Sequence, residues 1–168
     1  MANTIEQVLA ELDRWYNELP GGTERPRLLS KLAVLELCGW VEQRFDGIAH
    51  DIAKMAGVET EQTVIDRIGK TYGFDYGPHV RGVFLSIGGE VLMRKAENSL
   101  DASFQGDLDR LRSMLGSLWR HRCELAHNSS DSTMGQLPSV NAPSWAINQQ
   151  RVLAKLIVKL EAELRGAL

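Results

Sequence analysis

The chain has little cysteine and no long apolar run. Its two cysteines, Cys38 and Cys123, stand far apart inside apolar helical patterns, and neither belongs to a CxxC or Cys/His cluster. A disulfide framework or a metal site is therefore not expected. The longest apolar stretches, 32–41 and 83–93, are each interrupted by a glutamate and are too short to cross a bilayer. The N-terminus lacks a basic segment followed by an apolar one, so we expect a cytoplasmic protein with no membrane partner.

The sequence also lacks a strong charge of either sign. Its 19 Lys and Arg residues face 22 Asp and Glu residues, which gives a formal net charge of −3, whereas DNA-reading domains are typically basic. Any contact with a nucleic acid must then be local. The hydrophobic fraction of 43% and the length of 168 residues suit a folded globular protein, and we expect one domain over 1–168.

Apolar residues recur at spacings of three and four along most of the chain, which is the period of an amphipathic α-helix. No sustained two-residue alternation is present, so no strand is predicted. The expected fold is an all-α bundle of five to six helices. The helices run from Ile5 to Leu19, from Pro26 to Met55 and over 62–70, and three more begin near Val80, Leu108 and Trp145. Loops are expected over 72–78 and 128–144, which are rich in turn residues.

Two residue types inside these helices bear on packing. Gly39 and Gly47 each cost the second helix up to about 1 kcal/mol relative to alanine. Close approach by another helix, from the same chain or a second copy, is the expected compensation. Trp15, Trp40 and Trp119 fall within helical patterns and are predicted to be core residues.

A charged residue occupies a core-facing position in the fifth predicted helix. The apolar stripe Leu108, Leu111, Leu115, Leu118 continues onto Arg122 and then onto Leu125 or Ala126. Because burial of an unpaired guanidinium is costly, Arg122 must reach solvent, pair with an acid, or face a crevice or an interface. His127 follows five residues later, where the helix is predicted to end. A histidine at that place suits proton transfer near neutral pH.

The segment from Arg122 to His127 resembles the motif of the HEPN superfamily, all-helical domains whose ribonuclease members have an Arg, four to six residues, and then His. The resemblance includes the layout: a long early helix with an embedded glutamate, the motif at the end of a late helix, a loop and a final helix. The RiboL-PSP group is nearest in length and layout. Cys123 stands where the family often has Asn. Arg120 also satisfies the loose form of the pattern, and we favour Arg122 for its place on the apolar stripe.

This resemblance implies a metal-independent endoribonuclease that needs no cofactor. The RNA supplies its 2′-hydroxyl as nucleophile, and cleavage needs a base, an acid for the leaving oxygen and positive charge at the phosphate. His127 is the expected base or acid, and Arg122 the phosphate ligand. One chain supplies one such pair, and in the family two copies share a cleft, so a homodimer is implied. Family members often serve as toxins or phage-defence effectors, which implies an antitoxin or an effector protein as partner.

Further residues are expected to support the site. HEPN domains tend to have an acidic or polar residue on the early long helix that orients the motif arginine. Glu36 is the first candidate for this role and Glu42 the second. The flanking residues expected to support the motif or contact RNA are Arg120, His121 and Asn128, and His121, which lies off the stripe, is predicted to face solvent or RNA. The loop over 128–144 either gates the substrate or is a spacer.

A second hypothesis from a different class is a HEPN-like helical module that binds RNA or a partner protein without catalysis. The negative net charge and the replacement of the family's polar residue by Cys123 both favour it. A third is a purely structural subunit of a helical dimer. In the catalytic case, Arg122 and His127 are expected to lie exposed in a cleft shared by two copies.

Overall fold

The computed structural model describes residues 4–19, 24–57, 61–71, 73–127 and 141–168, without the side chains of residues 61, 63–65 and 127. These residues form six α-helices and one π-helical turn, and none of them forms a strand. The helices are α1 (Ile5–Glu18), α2 (Arg25–Met55), α3 (Glu61–Gly69), α4 (Gly82–Ser103), α5 (Asp107–His127) and α6 (Pro143–Ala167). The all-α prediction is therefore confirmed. Within these ranges, no helix has both the length and the apolar content needed to cross a membrane.

The starts of α1 and α2 follow from local sequence signals. The Thr4 hydroxyl accepts a hydrogen bond from the backbone N–H of Gln7, and the Gln7 side chain accepts one from the backbone N–H of Thr4. This is the capping box that their spacing predicts. Pro26 lies in the first turn of α2, where its missing N–H leaves no acceptor unpaired.

The two glycines inside α2 do not mark a close helix approach within the described chain. A Cβ atom added at Gly39 or at Gly47 would meet no heavy atom within 4 Å. The expected compensation from the same chain is therefore absent at both positions. The helix tolerates the two glycines because α2 runs for 31 residues, and most of its stability comes from packing rather than from helix propensity.

Residues 76–81 form a π-helical turn where a loop is predicted. The carbonyl of Asp75 accepts hydrogen bonds from the N–H of His79 at 3.0 Å and from the N–H of Val80 at 3.2 Å. The loop prediction is confirmed for 73–75 and wrong for 76–78, because turn residues dominate the composition while two side chains, Tyr76 and Val80, are buried. A helical turn places both of them in the core, and Pro78 lies early enough to need no N–H acceptor.

Helix α4 is interrupted at Gly89, the second of two adjacent glycines. Gly89 has φ 69° and ψ −174°, a combination that is essentially restricted to glycine. The helix therefore consists of two α-helical segments on either side of this residue.

Contacts divide the chain into two compact units, a division not predicted from the sequence. The first unit comprises residues 1–40 and 117–152. Its buried apolar side chains include Leu9, Leu12, Leu37, Leu118, Leu125 and Ala146. Trp15 is 42% exposed, so its prediction as a core residue is wrong: α1 is already anchored by Leu9 and Leu12, and Trp15 lies beside an open groove with Leu19 and Leu28.

The second unit comprises residues 41–116 and 153–168. Its core contains the fully buried rings of Phe74, Tyr76 and Phe84 together with aliphatic residues of α2, α4, α5 and α6. Lys159 on α6 binds Asp107 at the start of α5 at 2.6 Å. Asp107, in the first turn of α5, thus pairs with a lysine side chain.

Candidate functional site

Arg122 lies in the penultimate turn of α5, between two buried leucines of the stripe. Leu118 and Leu125 are buried, Ala126 is exposed, and Arg122 itself is half-buried. The alternative left open by the sequence, Leu125 or Ala126, is thus settled in favour of Leu125. Helix α5 ends at His127, so four residues separate the arginine from the last residue of the helix.

The guanidinium of Arg122 stacks on Trp119, one helical turn earlier. Its central carbon lies 5.0 Å from the centroid of the indole ring. A cation–π contact of this kind contributes about 0.5–1 kcal/mol at an exposed site and more where water is excluded. The half-buried indole therefore holds the planar cation against one face of α5 and restricts its rotation.

His121 is half-buried, whereas the sequence predicts a residue facing solvent or RNA. Its ring lies 5.5 Å from the ring of Trp145, edge to face at 69°. Its Nδ1 atom is buried and has no hydrogen-bond partner among the residues that the structure describes. The reason is helix geometry: His121 is three residues after Leu118 and four before Leu125, so it shares the inward face with them.

The enclosure of Nδ1 restricts what His121 can do chemically. A substrate cannot reach this buried atom, which argues against Nδ1 of His121 as the general base.

The structure does not bring Glu36 to Arg122. Glu36 is exposed, and in the described part of the chain no hydrogen bond or ion pair of its carboxylate is present, so the expected orienting contact is not seen. Arg120 is exposed on the same helix as Arg122. The side chain of His127 and the whole of Asn128 lie outside the described residues, as does the segment 128–140 of the predicted loop.

Glu42, the second candidate for orienting the arginine, lies in the second unit. It is half-buried at a small cavity with Asp46, Thr71 and His79, walled by the rings of Phe45, Phe74 and Phe84. Burial raises the pKa of Asp46 above its usual 3.8, and the charge of His50 partly opposes this. Asp46 is a titratable group that the sequence analysis missed, because a single aspartate on a long helix gives no signal of its own.

The most extensive polar cluster among the described residues is centred on Glu97 in the second unit. Glu97 is 8% exposed. Its Oε1 atom accepts hydrogen bonds from the Tyr76 hydroxyl at 2.9 Å, the Arg81 Nε at 3.2 Å and the Arg112 Nη2 at 3.2 Å. We call these four residues the Glu97 cluster. Three donors satisfy the buried carboxylate, so we assign the cluster to holding α4, α5 and the π-helical turn together.

The Glu97 cluster includes an exposed arginine and changes one pKa. Arg112 is exposed on α5, as the pattern predicts, and its guanidinium lies 5.2 Å from the centroid of the Tyr76 ring and binds Glu97. Burial, together with the neighbouring Glu97 carboxylate, raises the pKa of Tyr76 well above its usual value. The hydroxyl therefore stays protonated and acts as a donor across the physiological pH range.

No group of three or more His, Cys, Asp or Glu side chains in the described ranges is arranged to hold a metal ion. Comparisons of the chain with family models, with curated proteins and with solved structures gave no match.

Proposed function

We propose that this chain is a metal-independent endoribonuclease of the HEPN type, with Arg122 and His127 as its catalytic pair. The observation that carries the proposal is the position of both residues on one helix: four residues separate Arg122 from His127 in the last described turns of α5. The all-α fold agrees with it.

In the proposed reaction, the 2′-hydroxyl of a ribose attacks the adjacent phosphorus, and the 5′-oxygen of the next nucleotide leaves. His127 removes the proton from the 2′-hydroxyl or supplies one to the leaving oxygen. Arg122 binds the phosphate oxygens, where its charge stabilises the crowded transition state. The products are a 2′,3′-cyclic phosphate and a free 5′-hydroxyl, and no metal takes part.

Trp119 supports this assignment of Arg122. The guanidinium carbon lies 5.0 Å from the centroid of the indole ring. A cation held against a ring in this way loses less rotamer freedom on binding a phosphate than a freely rotating one. The resemblance to HEPN ribonucleases extends the proposal to a homodimer that presents two Arg122 and His127 pairs, with an antitoxin or an effector protein as partner.

The second candidate function is a HEPN-like module that binds RNA or a partner protein without cleaving RNA. The formal charge of −3 favours it, because nonspecific RNA affinity depends on local positive charge. Under this hypothesis, Arg122 and the exposed Arg120 contribute to binding to similar extents, since each adds one charge.

The deciding experiment is cleavage of total RNA in EDTA by the purified full chain. Wild type is expected to cut and to leave 2′,3′-cyclic phosphate ends. Arg122→Ala and His127→Ala are each expected to lose at least ~100-fold in rate, while Arg120→Ala, which removes the other candidate arginine two residues away, is expected to lose much less. Circular dichroism and light scattering establish that all four proteins are folded and of equal mass.

The outcomes separate the candidates. Full activity in His127→Ala contradicts the proposed mechanism. Loss in Arg120→Ala with activity retained in Arg122→Ala shifts the motif to the other arginine. Binding of RNA without cleavage by wild type favours the second function.

A further inference from the structure

An open groove in the first unit is lined by residues from the end of α1 and the start of α2. These are Trp15, Glu18, Leu19, Arg25, Leu28 and Leu29, and the groove has a volume of about 390 Å³. Sites that bury a small organic ligand typically measure roughly 300–1,000 Å³ and are lined mostly by apolar side chains. We call this site the α1–α2 groove. Its size and its mostly apolar lining are therefore those of a ligand site.

The apolar walls of the α1–α2 groove are in contact with solvent. Trp15 is 42% exposed and Leu28 is 52% exposed, while Leu19 and Leu29 are half-buried. Exposed apolar patches on a folded chain commonly mark interaction sites. A flat indole and three aliphatic side chains suit a flexible alkyl chain, because apolar burial needs no directional contacts.

The two charged residues of the α1–α2 groove differ in their pairing. The Glu18 carboxylate accepts a hydrogen bond from Arg14 at 3.0 Å, so its negative charge is largely compensated. Among the residues that the structure describes, the Arg25 guanidinium makes no hydrogen bond or ion pair. Its neighbour Arg27 pairs with Glu24 at 3.7 Å. Arg25 is therefore the charge at this rim that a ligand can pair with, and it favours an anion.

We propose that the α1–α2 groove binds a free single-chain carboxylate of the fatty-acid type. The alkyl chain lies against Trp15 and the leucines, and the carboxylate binds the Arg25 guanidinium, whose parallel N–H donors match its two oxygens. One unpaired arginine balances one negative charge. A phosphate monoester has a charge of about −1.5 to −2 at neutral pH and is therefore a poorer match. The proposal does not rest on the proposed ribonuclease activity.

Equilibrium dialysis of the full chain against decanoate, below the concentration at which decanoate aggregates, tests the proposal. Wild type is expected to bind one decanoate per chain. The affinity is expected to rise about two- to fourfold for each CH₂ added between octanoate and decanoate, because each methylene removes apolar surface from water. Leu28→Glu is expected to weaken binding at least ~10-fold, since it places a second carboxylate among the apolar walls.

Val91→Glu is the matched control for Leu28→Glu. Val91 is 70% exposed on α4 in the second unit, so the same substitution adds a charge far from the groove in sequence and leaves decanoate binding unchanged. Absence of saturable binding by wild type, or equal losses in the two variants, overturns the proposal. Binding of the chain to anionic phospholipid vesicles but not to free decanoate also overturns it, because a membrane surface is then the ligand.

An uncharged ligand of the same length separates Arg25 from the apolar walls. Arg25→Gln is expected to lower the affinity for decanoate about two- to fivefold, as for an exposed ion pair, and to leave the affinity for 1-decanol unchanged. Equal losses for both ligands, or no loss for decanoate, contradict the assigned contact.

The fluorescence of Trp15 reports where the ligand binds. Decanoate is expected to change the tryptophan emission of wild type, because the alkyl chain displaces water from the indole. Trp15→Phe retains an aromatic wall, so it is expected to bind decanoate with a much smaller change in emission. An equal change in this variant places the ligand elsewhere on the chain and overturns the assignment to the α1–α2 groove.

Discussion

At the scale of single residues, the role of Arg122 depends on what holds its side chain. A long, flexible cation loses rotamer freedom on binding a phosphate. The contact with Trp119 at 5.0 Å reduces that loss, because the ring already orients the guanidinium before the substrate arrives. Under the proposed ribonuclease function, Trp119 is then a positioning residue rather than a catalytic one.

Replacement of Trp119 tests this role. Trp119→Leu is expected to lower kcat for RNA cleavage about three- to tenfold, since the lost contact contributes roughly 0.5–1 kcal/mol or more where water is excluded. Trp119→Phe retains an aromatic face and is expected to recover most of the rate. The measurement is kcat and KM for a short RNA, with circular dichroism to compare folding. Equal losses in both variants indicate a packing effect instead.

A second prediction at this scale concerns Tyr76 and how its contribution to the unfolding free energy depends on pH. Tyr76→Phe removes a donor to the buried Glu97 and is expected to cost roughly 1.5–3 kcal/mol of unfolding free energy near neutral pH. Because the folded-state pKa of Tyr76 is raised above its usual 10.0, its stabilisation is complete below pH 10.0 and is lost as the pH rises above that value.

Urea unfolding of both proteins at about pH 8 and about pH 11 measures the difference directly. The gap in unfolding free energy between wild type and Tyr76→Phe is expected to narrow at the higher pH, because only wild type must keep this hydroxyl protonated. A gap that stays constant or widens contradicts the assigned contact.

At the scale of elements, Gly47 and Gly89 are expected to respond in opposite ways to replacement by alanine. Helix propensity decides the effect at Gly47, and backbone conformation decides it at Gly89. Gly47→Ala is expected to stabilise the protein by about 0.5–1 kcal/mol, since Gly47 lies on an exposed part of α2 where an added Cβ has open space. Gly89→Ala, the contrasting control, is expected to destabilise by about 1–3 kcal/mol, because its positive φ is essentially restricted to glycine. Thermal unfolding of the two variants beside wild type tests both expectations: Tm should rise in Gly47→Ala and fall in Gly89→Ala.

The same elements mark how far the sequence determines the fold. Periodicity predicts every α-helix, because core-facing positions must recur every three or four residues. It misses the π-helical turn, where burial of Tyr76 overrides a composition typical of loops. It also misplaces Trp15 and His121. The burial of Trp15 depends on whether another element covers α1. The burial of His121 depends on a small rotation of the buried face along α5. The spacing of apolar residues gives neither.

At the scale of the whole molecule, the division into two units lay beyond sequence reasoning. Each unit consists of two ranges that are distant in the chain. No local sequence signal, such as a linker, therefore marks the boundary between the units. The candidate site was predicted only as far as its motif: the sequence places Arg122 near the end of a helix, but it gives no sign of the contact with Trp119 or of the exposed state of Glu36. Both depend on side-chain packing in three dimensions.

The π-helical turn limits how the chain can change in length. A π-helical turn contains one more residue than an α-helical turn of the same length. Residues 76–81 therefore contain one residue more than an α-helical turn would need here. Shortening this turn by one residue would rotate the segment before it relative to α4 by about 100°. Tyr76 would then point away from Glu97, although no residue of the Glu97 cluster had been substituted. The contact between Tyr76 and Glu97 therefore depends on the number of residues in 76–81 as well as on their identity. Insertions and deletions are expected to be tolerated better outside this turn.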